Sequence, residues 1–375
     1  LMSLGIALIS LLFLINNQFQ EKFSKNIKGI DMVVGAKGSP LQLILSSIYH
    51  IDNPTGNILL DEVQTLASNP LIKKVIPISM GDNYRGYRIV GTNKLYIEHF
   101  EASLQNGTLF INDGDVAVGA IAAQQLGLKI GDTFASAHGL DEAGESHNEL
   151  TYKVVGILNY SNSVLDNLLL TSLSSVWAVH GSHEAHEEET HEENKKQITS
   201  ALVQFRSPLG LMTLPRTINE NTAMQAALPS IEVNRLFELL GVGIGTLRAL
   251  AIAIMIISGI SVFVSLYNSL KERKYELALM LSMGASRLQL FVLLLIEGLF
   301  LGTIGYVLGL LFSRLGAVLI SNQLNAKFHL PLSQVILQKE ELLLLLAAIG
   351  ISLLAAALPS INIYRINISK TLAEE

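Results

Sequence analysis

The chain has 375 residues, no cysteine and only 15% charged residues, with a mean hydropathy of +0.42. A soluble globular domain carries about 25% charged residues, so part of this chain meets lipid; the lack of cysteine excludes a disulfide framework, a thiolate nucleophile and any Cys-based metal site. Residues 24–240 hold 15 Lys+Arg against 24 Asp+Glu, a net of −9, and the remainder is net +3, an acidic middle that argues against nucleic acid as a partner because binding phosphates requires Lys and Arg.

The first element is an apolar run, residues 1–15, that stops at Asn16-Asn17-Gln18. It is short, since a helix needs about 20 residues to cross a hydrocarbon core of roughly 30 Å. The chain also begins with Leu, so residues 1–19 are expected to be a first transmembrane helix that lacks its start and any cytoplasmic lead-in. A cleaved signal peptide is the rival reading, but neither a basic n-region nor a small-residue cleavage site is visible.

A long stretch of mixed polar and apolar sequence follows. Residues 87–90 and 150–158 (LTYKVVGIL) alternate like strands. Residues 113–132 read as a strand, a helix over 120–126, and a turn at Gly131-Asp132. The stretch 209–240 contains Pro215 and Pro229 and becomes helical toward 234–240. We therefore expect a folded α+β domain over residues 24–240, inserted between transmembrane helices one and two.

Within it, HGSHEAHEEETHEENKK (residues 180–196) packs four histidines and six glutamates into seventeen residues. His180, His183 and His186 are three apart and would stack on one face of a helix. Zinc takes imidazole and carboxylate ligands, usually four, so Glu187 or His191 would complete a site for zinc or another divalent metal. A solvated acidic loop is the alternative, because short His-rich tracts are compositional signals. His138 and His147 form a weaker patch among Asp141, Glu142, Glu145 and Glu149.

No enzyme chemistry is legible. Gly35-Ala36-Lys37-Gly38 lacks the spacing of a phosphate-cradling loop and reads as a turn, and no G-x-S-x-G elbow occurs. No directly bound catalytic cofactor is expected.

Three further apolar runs complete four transmembrane helices: residues 249–266, 288–313 and 342–358. Arg248 stands at the start of the first and would snorkel to the headgroups. Glu297 interrupts the second; an ionisable group at that depth invites a functional reading, but a structural role or an interhelical hydrogen bond is preferred. Gly298, Gly302, Gly305 and Gly309 recur every three or four residues, which allows close helix approach. That face is either a dimer seam or packing within one subunit.

Between the second and third helices, residues 271–291 (KERKYELALMLSMGASRLQLF) start polar and then place Leu277, Met280, Leu281 and Gly284 at helical spacing. This is a short amphipathic helix at the membrane face, either an interfacial anchor or a docking surface. Lys271, Arg273, Lys274 and Arg287 favour the cytoplasm for this loop, while Lys22, Lys25 and Lys28 weigh on the opposite side.

KERKYELALMLSMGAS resembles the signature of the FtsX-like permease domain of MacB/LolC/LolE-type ABC transporters. The tail, with Pro359 after the last apolar run and Tyr364-Arg365 beyond it, is similar too, although the terminal Ile368-Ser369-Lys370-Thr371-Leu372 lacks the family's usual proline. YRIVGTN, LQNGTLF, GDVAVGAIAAQQLGLKIGDTF, YKVVGIL and LDNLLLTSLSSVWAVHG resemble, in order, the MacB-like periplasmic core domain. Residues 31–57 resemble one subgroup of such permeases.

The resemblance implies an α+β membrane protein of the bacterial inner membrane, with residues 24–240 in the periplasm. It implies an FtsX-like domain over 245–375, with transmembrane helices two to four and a cytoplasmic coupling loop at 271–287. A separate cytoplasmic ABC ATPase dimer would use the ATP, and its stroke would reach the periplasm by mechanotransmission. Lys271, Glu272, Arg273, Glu276, Leu277, Met280, Met283 and Gly284 would form the ATPase contact. A second permease copy or related permease, and a periplasmic adaptor or lipoprotein, are the other implied partners. The alternative is an FtsX-like signalling or scaffold subunit that activates a periplasmic partner such as a cell-wall hydrolase.

Overall fold

The computed structural model describes residues 1–137, 146–181, 196–328 and 338–365. Helix α1 (Met2–Ile27) is followed by β1 (Met32–Ala36), α2 (Pro40–Ser47), β2 (Ile58–Leu59), α3 (Leu60–Ala67), β3 (Ile72–Tyr84), β4 (Tyr87–Thr92) and α4 (Lys94–His99). Next come β5 (Leu104–Gly107), β6 (Asp115–Val118), α5 (Ala120–Leu126), β7 (Thr133–Ala137), β8 (Ser146–Leu158), β9 (Leu169–Ser172) and α6 (Leu173–Gly181). The chain then forms β10 (Gln197–Ile198), β11 (Ser200–Phe205), α7 (Pro208–Asn221), β12 (Met224–Ala227), α8 (Pro229–Glu272), α9 (Lys274–Ser282), α10 (Arg287–Phe328) and α11 (Lys339–Ser360). The elements divide into two compact units, Glu21–Phe237 and Leu1–Gln20 with Glu238–Glu375.

The unit Glu21–Phe237 is a mixed α/β body. Its ten-stranded sheet runs β12-β1-β11-β3-β4-β9-β6-β8-β5, with β7 bridging β3 and β8. Most pairs are antiparallel, but β4–β9 and β6–β8 are parallel. The segments with alternating sequence become β4 and β8, and residues 120–126 become α5.

Strand β3 is long enough to serve two cores. Its first half pairs with β11 and its second with β4, with a register shift between Met80 and Asn83. On one side Met32, Val34, Ile72, Val203, Leu214 and Ile218 pack together; on the other, Tyr87, Ile89, Val116, Phe134, Tyr152 and Leu169 do. Gly35 lies in buried β1, where a Cβ would overlap Leu43, so that glycine serves close packing of α2 rather than a phosphate. The proline-bearing stretch is helical earlier than its composition suggests. Pro215 lies inside α7, and α8 begins at Pro229, where a missing N–H is harmless because the first helical donors have no intrahelical partner.

Among the described residues of the chain, four helices are long and apolar enough to cross a membrane: α1, α8, α10 over Arg287–Gln323, and α11. In the unit Leu1–Gln20 with Glu238–Glu375, Met2, Ile6, Ile9, Ala251, Met255, Tyr306, Leu344 and Ala348 form the buried centre. Outward, α8 and α10 expose Ile256, Ile260, Phe300, Ile304 and Leu311, as helices surrounded by hydrocarbon do. The Arg248 guanidinium stacks 4.9 Å from the Phe13 ring centroid and so ties α8 to α1.

The glycine face of α10 is used within the chain. A Cβ at Gly298 would lie 2.5 Å from the Ala356 Cβ, one at Gly302 would overlap the Ser352 hydroxyl, and one at Gly309 would lie 2.8 Å from Ile6. Gly298 and Gly302 therefore seat α11, and Gly309 seats α1. Replacing Gly302 by Val should lower stability by about 1–3 kcal/mol, the usual penalty of overpacking. Gly350→Ala, on α11 with no atom within 4 Å of the new methyl, should be neutral or gain up to ~1 kcal/mol of helix propensity; thermal unfolding of both variants in detergent checks the contrast.

Candidate functional site

The amphipathic segment folds as α9, a separate helix set between α8 and α10. Leu277 and Ala278 are buried against Leu270, Leu290, Leu294 and Ile363, with Leu281 and Phe291 at the margin. Lys271, Glu272, Arg273, Glu276, Met280, Met283 and Gly284 are exposed. Tyr275 and Leu279 also point outward, at 42% and 44% exposure, and Met283 reaches 81%. Leu277, expected among the outward contacts, is therefore an inward anchor. The residues free to touch another molecule are Tyr275, Leu279, Met280 and Met283 with their flanking charges, and Tyr275 and Leu279 were not singled out from the spacing.

The segment Met280–Gln289 holds α9 rigidly to α10. The Gly284 N–H bonds to the Leu281 carbonyl (3.2 Å) and the Ala285 N–H to the Met280 carbonyl (3.0 Å), the paired pattern of a Schellman motif. It requires a positive φ at the residue after the helix, and Gly284 supplies +104°. Two residues on, Ser286 opens α10 with a reciprocal cap: the Gln289 N–H bonds to the Ser286 hydroxyl (3.2 Å), and the Ser286 N–H bonds to the Gln289 side-chain oxygen (2.8 Å). Beyond α11, a short 3-10 turn (Ile361–Arg365) returns to this place. Ile363 is fully buried there, Arg287 donates to the Tyr364 carbonyl, and the Phe291 and Tyr364 rings lie 6.2 Å apart. This turn is thus braced by α8, by α10 and by the 3-10 turn beyond α11.

The other expected site residues fare differently. His183, His186 and His191, with His138, lie outside the described residues; His180 lies in the last turn of α6, but its side chain lies outside them too, as does that of His147 in β8. Among the described residues, no group of three or more His, Asp or Glu is placed to hold a metal ion. Glu297 is half-buried on α10, and among the described residues no hydrogen bond or ion pair engages it.

A carboxylate that spacing alone did not single out is fully buried instead. Glu341 sits in the first turn of α11, where Arg314 from α10 approaches its carboxylate at 2.8 Å. Both residues flank apolar runs in the sequence and so read as interfacial charges. The available signal was the capping box of Gln338 with Glu341.

In the sheet unit, one loop is stapled by buried polar groups. The Tyr49 hydroxyl bonds to the Phe23 carbonyl (2.9 Å), His50 Nε2 lies 2.9 Å from the Tyr96 hydroxyl, and Arg88 donates to the Asn53 side chain (3.2 Å). His50 adopts φ +56°. Burial, aided by the nearby Arg88 charge, pushes its pKa down from 6.5 to about 3, so the folded chain holds a neutral imidazole.

Two family models match the chain. Residues 248–368 match the FtsX-like permease C-terminal family and residues 1–209 match the MacB-like periplasmic core domain family. No curated protein matches. Among solved structures, the periplasmic region of MacB from Actinobacillus actinomycetemcomitans aligns at 16% identity over 58% of this chain and 98% of that one, with a TM-score of 0.37. The extracellular domain of the noncanonic ABC-type transporter YknZ from Gram-positive bacteria aligns at 14% identity over 52% of this chain and 98% of that one, with a TM-score of 0.34.

The His50 environment sets a pH dependence. Its folded pKa lies below its unfolded one, so the unfolded chain binds the extra proton and stability falls as pH drops from 6.5 toward 3. The slope should approach ~1.4 kcal/mol per pH unit from this group. His50→Asn, which tolerates the left-handed conformation, should remove that contribution; thermal midpoints of both proteins between pH 7 and 4 measure it.

Proposed function

Since the chain belongs to the MacB/FtsX-type ABC transporter permeases, with residues 1–209 and 248–368 matching its two families, we propose that it couples a separate cytoplasmic ATPase dimer to work done by its sheet-rich unit on the other side of a bacterial inner membrane. The protein is multi-pass, and such permeases are generally not themselves catalytic. In this reading the mixed α/β unit is inserted between the first two transmembrane helices and stands in the periplasm. ATP hydrolysis by the partner moves α9, the stroke passes along the helices, and the periplasmic unit moves a lipoprotein, a peptide, a drug or a metal-related cargo. A second permease copy or a related permease completes the assembly.

The observation that carries the proposal is the build of α9. A helix meant only to float at the interface needs no brace, whereas this one is pinned inward by Leu277 and Ala278 and locked to α10 by the turn at Gly284 and Ser286. Its outer face still presents Tyr275, Leu279, Met280 and Met283 between charges. A rigid, apolar, charge-rimmed knob is suited to seat in a partner and to pass on displacement without deforming.

The His-rich tract adds to this job without defining it. Four imidazoles within twelve residues are the ligand type zinc takes; calorimetry of the full chain should show zinc binding that is lost when His180, His183, His186 and His191 are replaced by alanine.

Met280→Glu with Met283→Glu should abolish co-purification of the ATPase and its stimulation while leaving thermal unfolding of the chain unchanged, because both side chains are exposed. Leu277→Ala should instead destabilise by about 2–5 kcal/mol, the usual penalty for truncating a buried leucine. Normal ATPase assembly with the double glutamate variant would remove α9 as the coupling element. Identification of the co-purified partners separates transport from signalling, since a cell-wall hydrolase in place of an adaptor or cargo favours the latter.

A further inference from the structure

Far along α10 from the coupling turn, three helices meet on a set of buried polar groups. Arg314 lies 27 residues beyond Arg287, which is about 40 Å along a helix rising 1.5 Å per residue. Its Nη2 stands 2.8 Å from each oxygen of Glu341, whose side chain has no solvent exposure. The Ser10 hydroxyl of α1 donates to Glu341 Oε1 at 2.6 Å and lies 2.9 Å from the Ser313 hydroxyl. A hydroxyl has one proton, and Ser10 spends it on the carboxylate, so Ser313 is the donor in the second bond. The Gln338 N–H reaches Glu341 Oε2 (3.2 Å), the Tyr306 hydroxyl donates to the Glu341 carbonyl (3.1 Å), and Asn17 of α1 donates to the Gln338 side chain (3.0 Å).

Cohesion does not require this arrangement. Apolar residues of the same volume hold helices together as well or better, because taking an ion pair out of water offsets most of its attraction. What the pair supplies is direction. The α10 seam repeats small residues at Gly298, Gly302, Gly305, Gly309 and Gly316, and a repeating smooth seam accepts more than one register. A carboxylate that must meet Arg314, Ser10 and its own helix cap accepts one. Registry is the best-attested use of a buried polar group.

We propose that Arg314, Glu341, Ser10 and Ser313 are positioning residues that clamp α1 to α10 and α11, so that the three helices move as one lever when α9 is displaced. This rests on the coupling role proposed above. The clamp stays closed through the ATP cycle; it transmits motion and does not open.

The chain contains no cysteine, so Ser10→Cys with Ser313→Cys introduces one cross-linkable pair per permease chain, followed in the intact complex with its ATPase. Arg314→Met with Glu341→Leu should leave the complex assembled but lower permease-dependent ATP turnover about fivefold or more, within the usual range of coupling energies. Oxidising the Cys pair in that background should restore turnover, and reducing it should remove the gain. With Arg314 and Glu341 retained, oxidising the Cys pair should not lower turnover. The proposal is overturned if the Met/Leu variant couples normally, if the disulfide forms without restoring coupling, or if it blocks the otherwise wild-type complex. A wild-type complex in which ATP turnover ignores the permease would instead sink the coupling reading, and the lever with it. The clamp itself is then read from the rate of cross-linking in the resting chain, which should be fast with Arg314 and Glu341 present and slow in the Met/Leu variant; equal rates overturn it.

Discussion

Close approach of helices along the glycine face of α10 is the constraint on which the membrane unit rests. Where a Cβ would strike Ala356, Ser352 or Ile6, its absence lets α11 and α1 settle onto α10. Lipid offers no hydrophobic drive for helices to leave it, so dispersion across short distances and interhelical hydrogen bonds must hold the bundle. Everything else in the unit follows from that closeness. It delivers Ser10 and Glu341 to Arg314 about two-thirds of the way along α10, and it brings Ile363 and Tyr364 to Arg287 and Phe291 at the helix start.

The two places are built in different ways, and the difference suits different tasks. The one beside α9 is a sequence of local backbone devices, each satisfied by neighbours a few residues apart. Such devices bond backbone groups and leave other side chains free, and Met280 and Met283 remain exposed. The other is a nonlocal network in which Ser10 meets residues more than 300 positions away in the chain. It specifies which helices are neighbours and in what register, a task that local signals cannot perform.

The sheet unit solves a parallel problem by length. Strand β3 crosses from one core to the other through a register shift, so its halves pair with β11 and β4 without a break in the chain. The loop around His50 is fixed by Tyr49, His50 and Asn53, each bonded to a partner on a different element. A neutral buried histidine in a left-handed conformation persists only where the surroundings impose it, and here Tyr96 and the packed loop do so.

Hydropathy and period-two or helical patterning were enough to read the four apolar helices, strands β4 and β8, helix α5 and the existence of a helix between α8 and α10. These depend on local chemistry: run length against bilayer thickness, and alternation on a pleat. The spacing of Leu277, Met280, Leu281 and Gly284 announced a face but could not say which members point inward. That depended on Leu290, Leu294 and Ile363 arriving from other elements. The same limit hid the ion pair. Arg314 and Glu341 each border an apolar run, and a sequence read one segment at a time assigns such charges to the interface. Only the packing of α1, α10 and α11 places them together inside the protein, because an ion pair between distant segments is a property of their register and not of either segment.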